Sequence, residues 1–247
     1  MLPVKVPGTF HVVAHRGASG YAPENTAAAF RRAVELGATE VELDVQLSTD
    51  GEVFLCHDLG LGRYGHGDRV VQEMSSAELL SLDMGAWFPG GAFPGEPMLT
   101  LDALFGEFGD RLTYHVELKG RAAELPRRVI EVMRRHGVTE SCIASSFRLE
   151  QLAEVRSLAP AIRRAWLVDE ITPGKMPEAA AAEVFQLCPS AGPLTPAAVE
   201  LGHSVAREVR AWGATGSADE VEALIRRAVR CGCDAMTIDW PDWIVCE

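Results

Sequence analysis

No apolar run in this 247-residue chain approaches the roughly 20 residues that cross a bilayer, which excludes a transmembrane helix. None of the six cysteines forms a Cys-x-x-Cys pair, and Cys231-Gly-Cys233 is too tight for the usual zinc spacing. Cys56, Cys142, Cys188, Cys231, Cys233 and Cys246 therefore read as reduced, structural residues. Positive charge is also scarce. Against 35 Asp and Glu there are 23 Lys and Arg, a net charge of −12 that would repel a polyanion and excludes a general nucleic-acid binder. A small phosphate ester, which needs only local positive charge, remains compatible. The chain has no internal repeat, low-complexity tract or interdomain linker. Its start, MLPVKVPGTFHVV, lacks a long hydrophobic region and a small-residue cleavage site, so a cytoplasmic location is expected. Nothing in the sequence sets the oligomeric state.

What is present is an alternation. Short apolar runs at 11–15, 40–46, 112–118, 141–145, 163–168, 184–188, 206–212 and 235–239 are separated by amphipathic patterns such as 25–36, 121–136, 147–158 and 217–231. Eight strands alternating with helices imply parallel pairing in an α/β fold, a (β/α)8 barrel, and the length suits one such domain spanning 1–247. One segment departs from the rhythm. Glu40–Leu47 and Glu52–His57 are joined only by Ser48-Thr-Asp-Gly51, too short for a parallel crossover. The second run is thus an extra hairpin strand after barrel strand 2, with His57-Asp58 at its tip, folding back toward the barrel mouth. Residues 58–99, rich in Gly and aromatics with one short helix in SSAELLSLD, read as an insertion before the helix at 100–108.

The chemistry-bearing residues cluster at strand ends. His15-Arg16-Gly17 follows the apolar Val12-Val13-Ala14, and Asn25 or Thr26 caps the helix that ends at Gly37. In α/β proteins that strand-to-helix corner is where ligands bind. Glu42 and Asp44 lie two apart on a strand and so share a face. Val41, Leu43 and Val45 face the other way. Glu40 shares the acidic face but lies further from the mouth. Buried carboxylates are costly unless a cation neutralises them. Glu117 recurs at the end of the next barrel strand, and three hard oxygen donors at a barrel mouth describe a single Mg²⁺ or Ca²⁺ site rather than zinc. Lys119, two residues on, adds a positive donor. His15 and His57 bring two imidazoles suited to proton transfer near neutral pH. His11 and His115 fall at the wrong strand ends, His136 and His203 near helix ends, and His66 in the insertion.

The set HRG, PENT, ELDV with its hairpin, HD and ELK, in this order and spacing, resembles the glycerophosphodiester phosphodiesterase family. The likeness continues through Leu82–Phe88, Leu99-Thr-Leu101, Ser145-Ser-Phe147 and Gly232–Pro241, essentially the whole chain. The resemblance implies His15 and His57 as an acid/base pair, Glu42, Asp44 and Glu117 as divalent-metal ligands, and Arg16 and Lys119 as phosphate contacts. It also implies a TIM barrel, a small-molecule phosphodiester substrate cleaved to an alcohol and glycerol 3-phosphate, and a place in lipid and glycerol metabolism. The chain departs from the family at the seventh strand. Where Trp-Thr-Val-Asn is usual it reads Trp212-Gly-Ala-Thr215, without the Asn that normally offers a polar contact there. Trp212 either floors the pocket or belongs to the core. The aromatic insertion, with Trp87, Phe88 and Phe93, allows a second reading, a lysophospholipid substrate at the same centre. A third is a barrel that binds phosphodiesters without turnover.

Overall fold

A computed structural model describes all 247 residues. The strands are β1 (Val4–Val6), β2 (His11–Ala14), β3 (Glu40–Leu47), β4 (Val53–Leu55), β5 (Thr113–Leu118), β6 (Cys142–Ser146), β7 (Arg163–Val168), β8 (Gln186–Pro189), β9 (Glu208–Ala211), β10 (Ala235–Ile238) and β11 (Ile244–Cys246). The helices are α1 (Ala27–Glu35), α2 (Ser76–Leu80), α3 (Leu101–Phe108), α4 (Leu125–Arg135), α5 (Leu149–Leu158), α6 (Met176–Ala181), α7 (Pro196–His203) and α8 (Ala218–Cys231). Strands β2, β3 and β5 to β10 pair in parallel, and β2 bonds to both β3 and β10, so the sheet closes. This is the expected eight-stranded TIM barrel. All eight predicted strands are present within two residues at either end. β1 and β11, unforeseen, form a separate two-stranded pair.

The hairpin is present as well: β4 runs antiparallel to β3, with Val45 opposite Leu55 and Leu47 opposite Val53. The β3 alternation follows from the pleat. Val41, Leu43 and Val45 pack with Phe105, Tyr114 and the α4 residues Val129 and Met133, while Glu42 and Asp44 take the opposite, lumenal face. The insertion builds its own small core from Leu61, Tyr64, Val71, Leu79, Leu82, Met84 and Met98 against Phe54 and Cys56. Trp87, Phe88 and Phe93 join it edge to edge, Tyr64 to Trp87 at 5.5 Å and Phe88 to Phe93 at 5.5 Å. All six cysteines are free thiols.

The loop after β2 is held by unusual backbone. Arg16 (φ 53°) and Asn25 (φ 58°) both adopt left-handed conformations, and the Asn25 N–H donates to the Arg16 carbonyl at 2.9 Å. Thr26, not Asn25, caps α1, its hydroxyl accepting from Ala29 N–H at 3.3 Å. Gly17 (φ 81°) lies against α1 so closely that a Cβ there would sit 2.6 Å from the Ala29 carbonyl carbon. Gly17→Ala should therefore cost about 2 kcal/mol, from left-handed strain plus displaced backbone. A lowered urea midpoint with unchanged slope is the expected result.

Candidate active site

The C-terminal ends of the barrel strands enclose a cavity of about 350 Å³. It is lined by His15, Arg16, Glu42, His57, Glu117 and Lys119, and by Trp212 on the far side. Asp44 lies just beneath, 1 % exposed. One oxygen each from Glu42, Asp44 and Glu117 falls within 4.8 Å of the others, because β3 and β5 pair with Asp44 opposite Glu117.

The carboxylates are only partly compensated. Arg16 Nε lies 3.1 Å from Asp44 Oδ2, and Arg16 Nη1 donates to Glu24 Oε1 at 3.0 Å. Lys119 Nζ lies 2.8 Å from Glu117 Oε1 and 3.7 Å from Asp44 Oδ1. Glu42 receives a hydrogen bond from the Arg16 backbone N–H at 3.1 Å and pairs with no lysine or arginine side chain, only with the His15 ring, whose Nε2 lies 3.9 Å from its Oε2. Burial, with Asp44 beside it, pushes Glu42 up to about 7. Burial would also raise Asp44, but Arg16, Lys119, His57 and the Asn25 amide hold it down at about 2. Glu117 is raised by burial and by Asp44, against the pull of Lys119. Asp44 Oδ1, buried, has no hydrogen-bond donor. Three hard oxygen donors at this spacing, one of them orphaned, fit a divalent cation such as Mg²⁺ or Ca²⁺.

Each histidine is backed by a carboxylate that sequence reasoning passed over. Asp239 Oδ1 lies 2.6 Å from His15 Nδ1, and Asp58 Oδ1 lies 2.6 Å from His57 Nδ1. In both rings Nε2 is left as the nitrogen available for chemistry. Burial and Arg16 lower the His15 value, but Asp239 and Glu42 outweigh them and raise it above the ordinary imidazole range. His57 ends below that range, since burial, Arg16 and Lys119 prevail over Asp44 and Asp58.

Other neighbours complete the site. Asn25 grips Asp44 twice: its Nδ2 donates to Oδ2 at 2.9 Å, and its Oδ1 accepts the Asp44 backbone N–H at 3.2 Å. Glu24 ties the Arg16 corner to the insertion through Arg63 and the Tyr64 hydroxyl. Trp212 both lines the cavity and is anchored there, its Nε1 donating to the Cys188 carbonyl at 2.9 Å. Its ring meets Phe147 edge-on at 5.5 Å. Thr215, where the resemblance calls for Asn, also lines the cavity and offers a hydroxyl. The remaining histidines lie elsewhere: His11 and His115 share Glu40, His136 pairs with Asp102, His203 with Asp234, and His66 meets the Asp83 carbonyl.

A family model described as "Glycerophosphoryl diester phosphodiesterase family" matches residues 15–243. A glycerophosphodiester phosphodiesterase of Caldanaerobacter subterraneus is 32% identical over 240 residues, covering 95% of this chain and 96% of that one. A Bacillus subtilis relative is 37% identical over 154 residues, and the alignment spans 62% of this chain and 63% of the relative. A solved Oleispira antarctica phosphodiesterase, in complex with the product sn-glycerol-3-phosphate, superposes with a TM-score of 0.80 at 28% identity. That superposition covers 96% of this chain and 94% of the other.

Proposed function

The chain belongs to the glycerophosphoryl diester phosphodiesterase family, whose members are phosphoric diester hydrolases, and on that premise we propose that it hydrolyses glycerophosphodiesters to an alcohol and glycerol 3-phosphate with a divalent cation and two histidines. The observation that carries this reading is the buried Glu42–Asp44–Glu117 cluster, with two carboxylate-backed imidazoles lining the cavity beside it. On this reading residues 1–247 act as one domain, with 58–99 an elaboration of the barrel.

Glu42, Asp44 and Glu117 would hold the cation, Mg²⁺ or Ca²⁺. Such an ion supplies Lewis-acid charge at a non-bridging phosphate oxygen. His57, the imidazole held below the ordinary range, accepts the proton of the nucleophile. His15, held above it and backed by Asp239, donates a proton to the departing alkoxide. Arg16 and Lys119 are the phosphate contacts, offsetting charge that builds on the phosphoryl oxygens. Trp212 and Phe147 form an apolar wall for the carbon skeleton of the bound half. The nucleophile is either water or the glycerol 2-hydroxyl, the latter giving a cyclic phosphate that water then opens.

The lysophospholipid reading loses its support. Trp87, Phe88 and Phe93 are spent on packing the insertion and none of them lines the cavity. A ³¹P NMR time course with glycerophosphocholine, glycerophosphoethanolamine and lysophosphatidylcholine tests the proposal. Glycerol 3-phosphate should appear from the first two, and a transient cyclic phosphate signal would identify the 2-hydroxyl route. Turnover of the lysolipid alone would replace the proposal with the second reading.

A further inference from the structure

Arg210 stands out in the cavity. It is 1 % exposed, the largest fully buried side chain in the molecule. It lies on β9, four strands round the ring from β5 and so across the lumen from Glu117. No carboxylate pairs with it. Nε donates to Gln186 Oε1 at 3.3 Å, Nη1 donates to the Thr237 hydroxyl, and Nη2 has no partner. A buried guanidinium without a counter-ion is costly, and an unfilled donor adds to that cost. Stability alone does not account for it, because replacing a buried charge by a well-packed apolar side chain is often neutral or stabilising.

The surroundings indicate what the cation is for. Arg210, Thr237 and Ser145 line the cavity on its polar side, and the Ser145 hydroxyl is also buried without a partner. Leu167, Trp212 and Phe147 line it on the apolar side. A three-carbon polyol has the matching character: C–H edges for the aromatic wall and hydroxyl oxygens for the donors. The guanidinium plane is held in advance by Gln186 and Thr237, so little order is lost when a hydroxyl oxygen accepts from it.

We infer that Arg210 is a specificity-determining residue that recognises a hydroxyl of the glycerol half of the substrate. The inference rests on the hydrolase reading above. Removing Arg210 should leave phosphate recognition intact and erase the preference for glycerol.

Calorimetric titration of the metal-loaded enzyme with sn-glycerol 3-phosphate and with methyl phosphate separates the two contributions, because both ligands carry the same phosphate charge. Wild type should bind glycerol 3-phosphate at least tenfold more tightly. Arg210→Met should bring the two affinities within about threefold while methyl phosphate binding stays within twofold. Arg210→Lys, which keeps the charge and loses the fork, should fall between them and serves if the Met variant does not fold. In kinetics, KM for a glycerophosphodiester should rise about tenfold, with bis(p-nitrophenyl) phosphate turnover unaffected. Parallel weakening of both ligands, or no change in either, would overturn the assignment in favour of a purely structural arginine. Failure of wild type to hydrolyse any glycerophosphodiester would instead remove the functional reading itself.

Discussion

His15→Ala and His57→Ala should each lower kcat by 10² to 10⁴, the range that a positioned proton donor or acceptor contributes. The pH profile distinguishes the two variants. In the proposed mechanism His57 must be unprotonated to accept a proton, and it is held below the ordinary imidazole value, so wild-type activity should rise with pH on a limb below about 6.5. In the same mechanism His15 must be protonated to donate, and it is held above that value, so activity should fall on a limb above about 6.5. Loss of the acid limb in His57→Ala, and of the alkaline limb in His15→Ala, is the expected pair of results. Full activity in either variant would remove that residue from the mechanism.

Glu42→Gln combines a large loss with an opposite gain. Activity should fall about 10³-fold, since the Lewis-acid contribution of a bound cation is worth several kcal/mol. The metal-free variant should nevertheless melt higher than metal-free wild type. The sign follows from the raised value of Glu42, near 7 when folded against an ordinary 4.5. A carboxyl group whose folded value is raised binds its proton more tightly in the native state, so ionising it opposes folding. The cost is absent below about pH 4.5, grows between there and pH 7, and is complete above. Melting curves at pH 4.5 and pH 8 should accordingly coincide at the lower pH and separate at the higher. Cation should raise the melting temperature of wild type and do so much less for the variant. A variant that melts lower than wild type at pH 8 without metal would show that Glu42 is structural rather than strained for function.

Much of this site could be read from the chain because strand periodicity is simple. The alternation Glu42-Leu43-Asp44 assigns faces without further information, and the four-residue turn at 48–51 forces an antiparallel hairpin. Asp239 was legible in principle. It continues the lumenal face of Ala235 and Thr237, and closure of an eight-stranded ring brings the last strand against the first, beside His15. The hold of Asn25 on Asp44 was not legible. It depends on a left-handed backbone at a non-glycine residue, set by tertiary contacts across the loop. Arg210 escaped for a related reason. An arginine in an apolar strand reads as an edge or solvated position, and only the closed lumen reveals that its charge is buried and unpaired. The sequence left Trp212 open between pocket and core, and the fold places it in both settings at once.

The proposed hydrolysis depends on a cation held by the three buried carboxylates Glu42, Asp44 and Glu117. The most direct measurement is coupled detection of glycerol 3-phosphate released from glycerophosphodiesters, before and after chelation, with Mg²⁺ or Ca²⁺ added back. Chelation should abolish turnover and one of these ions should restore it. Turnover that survives complete chelation, or none with either ion present, would contradict it.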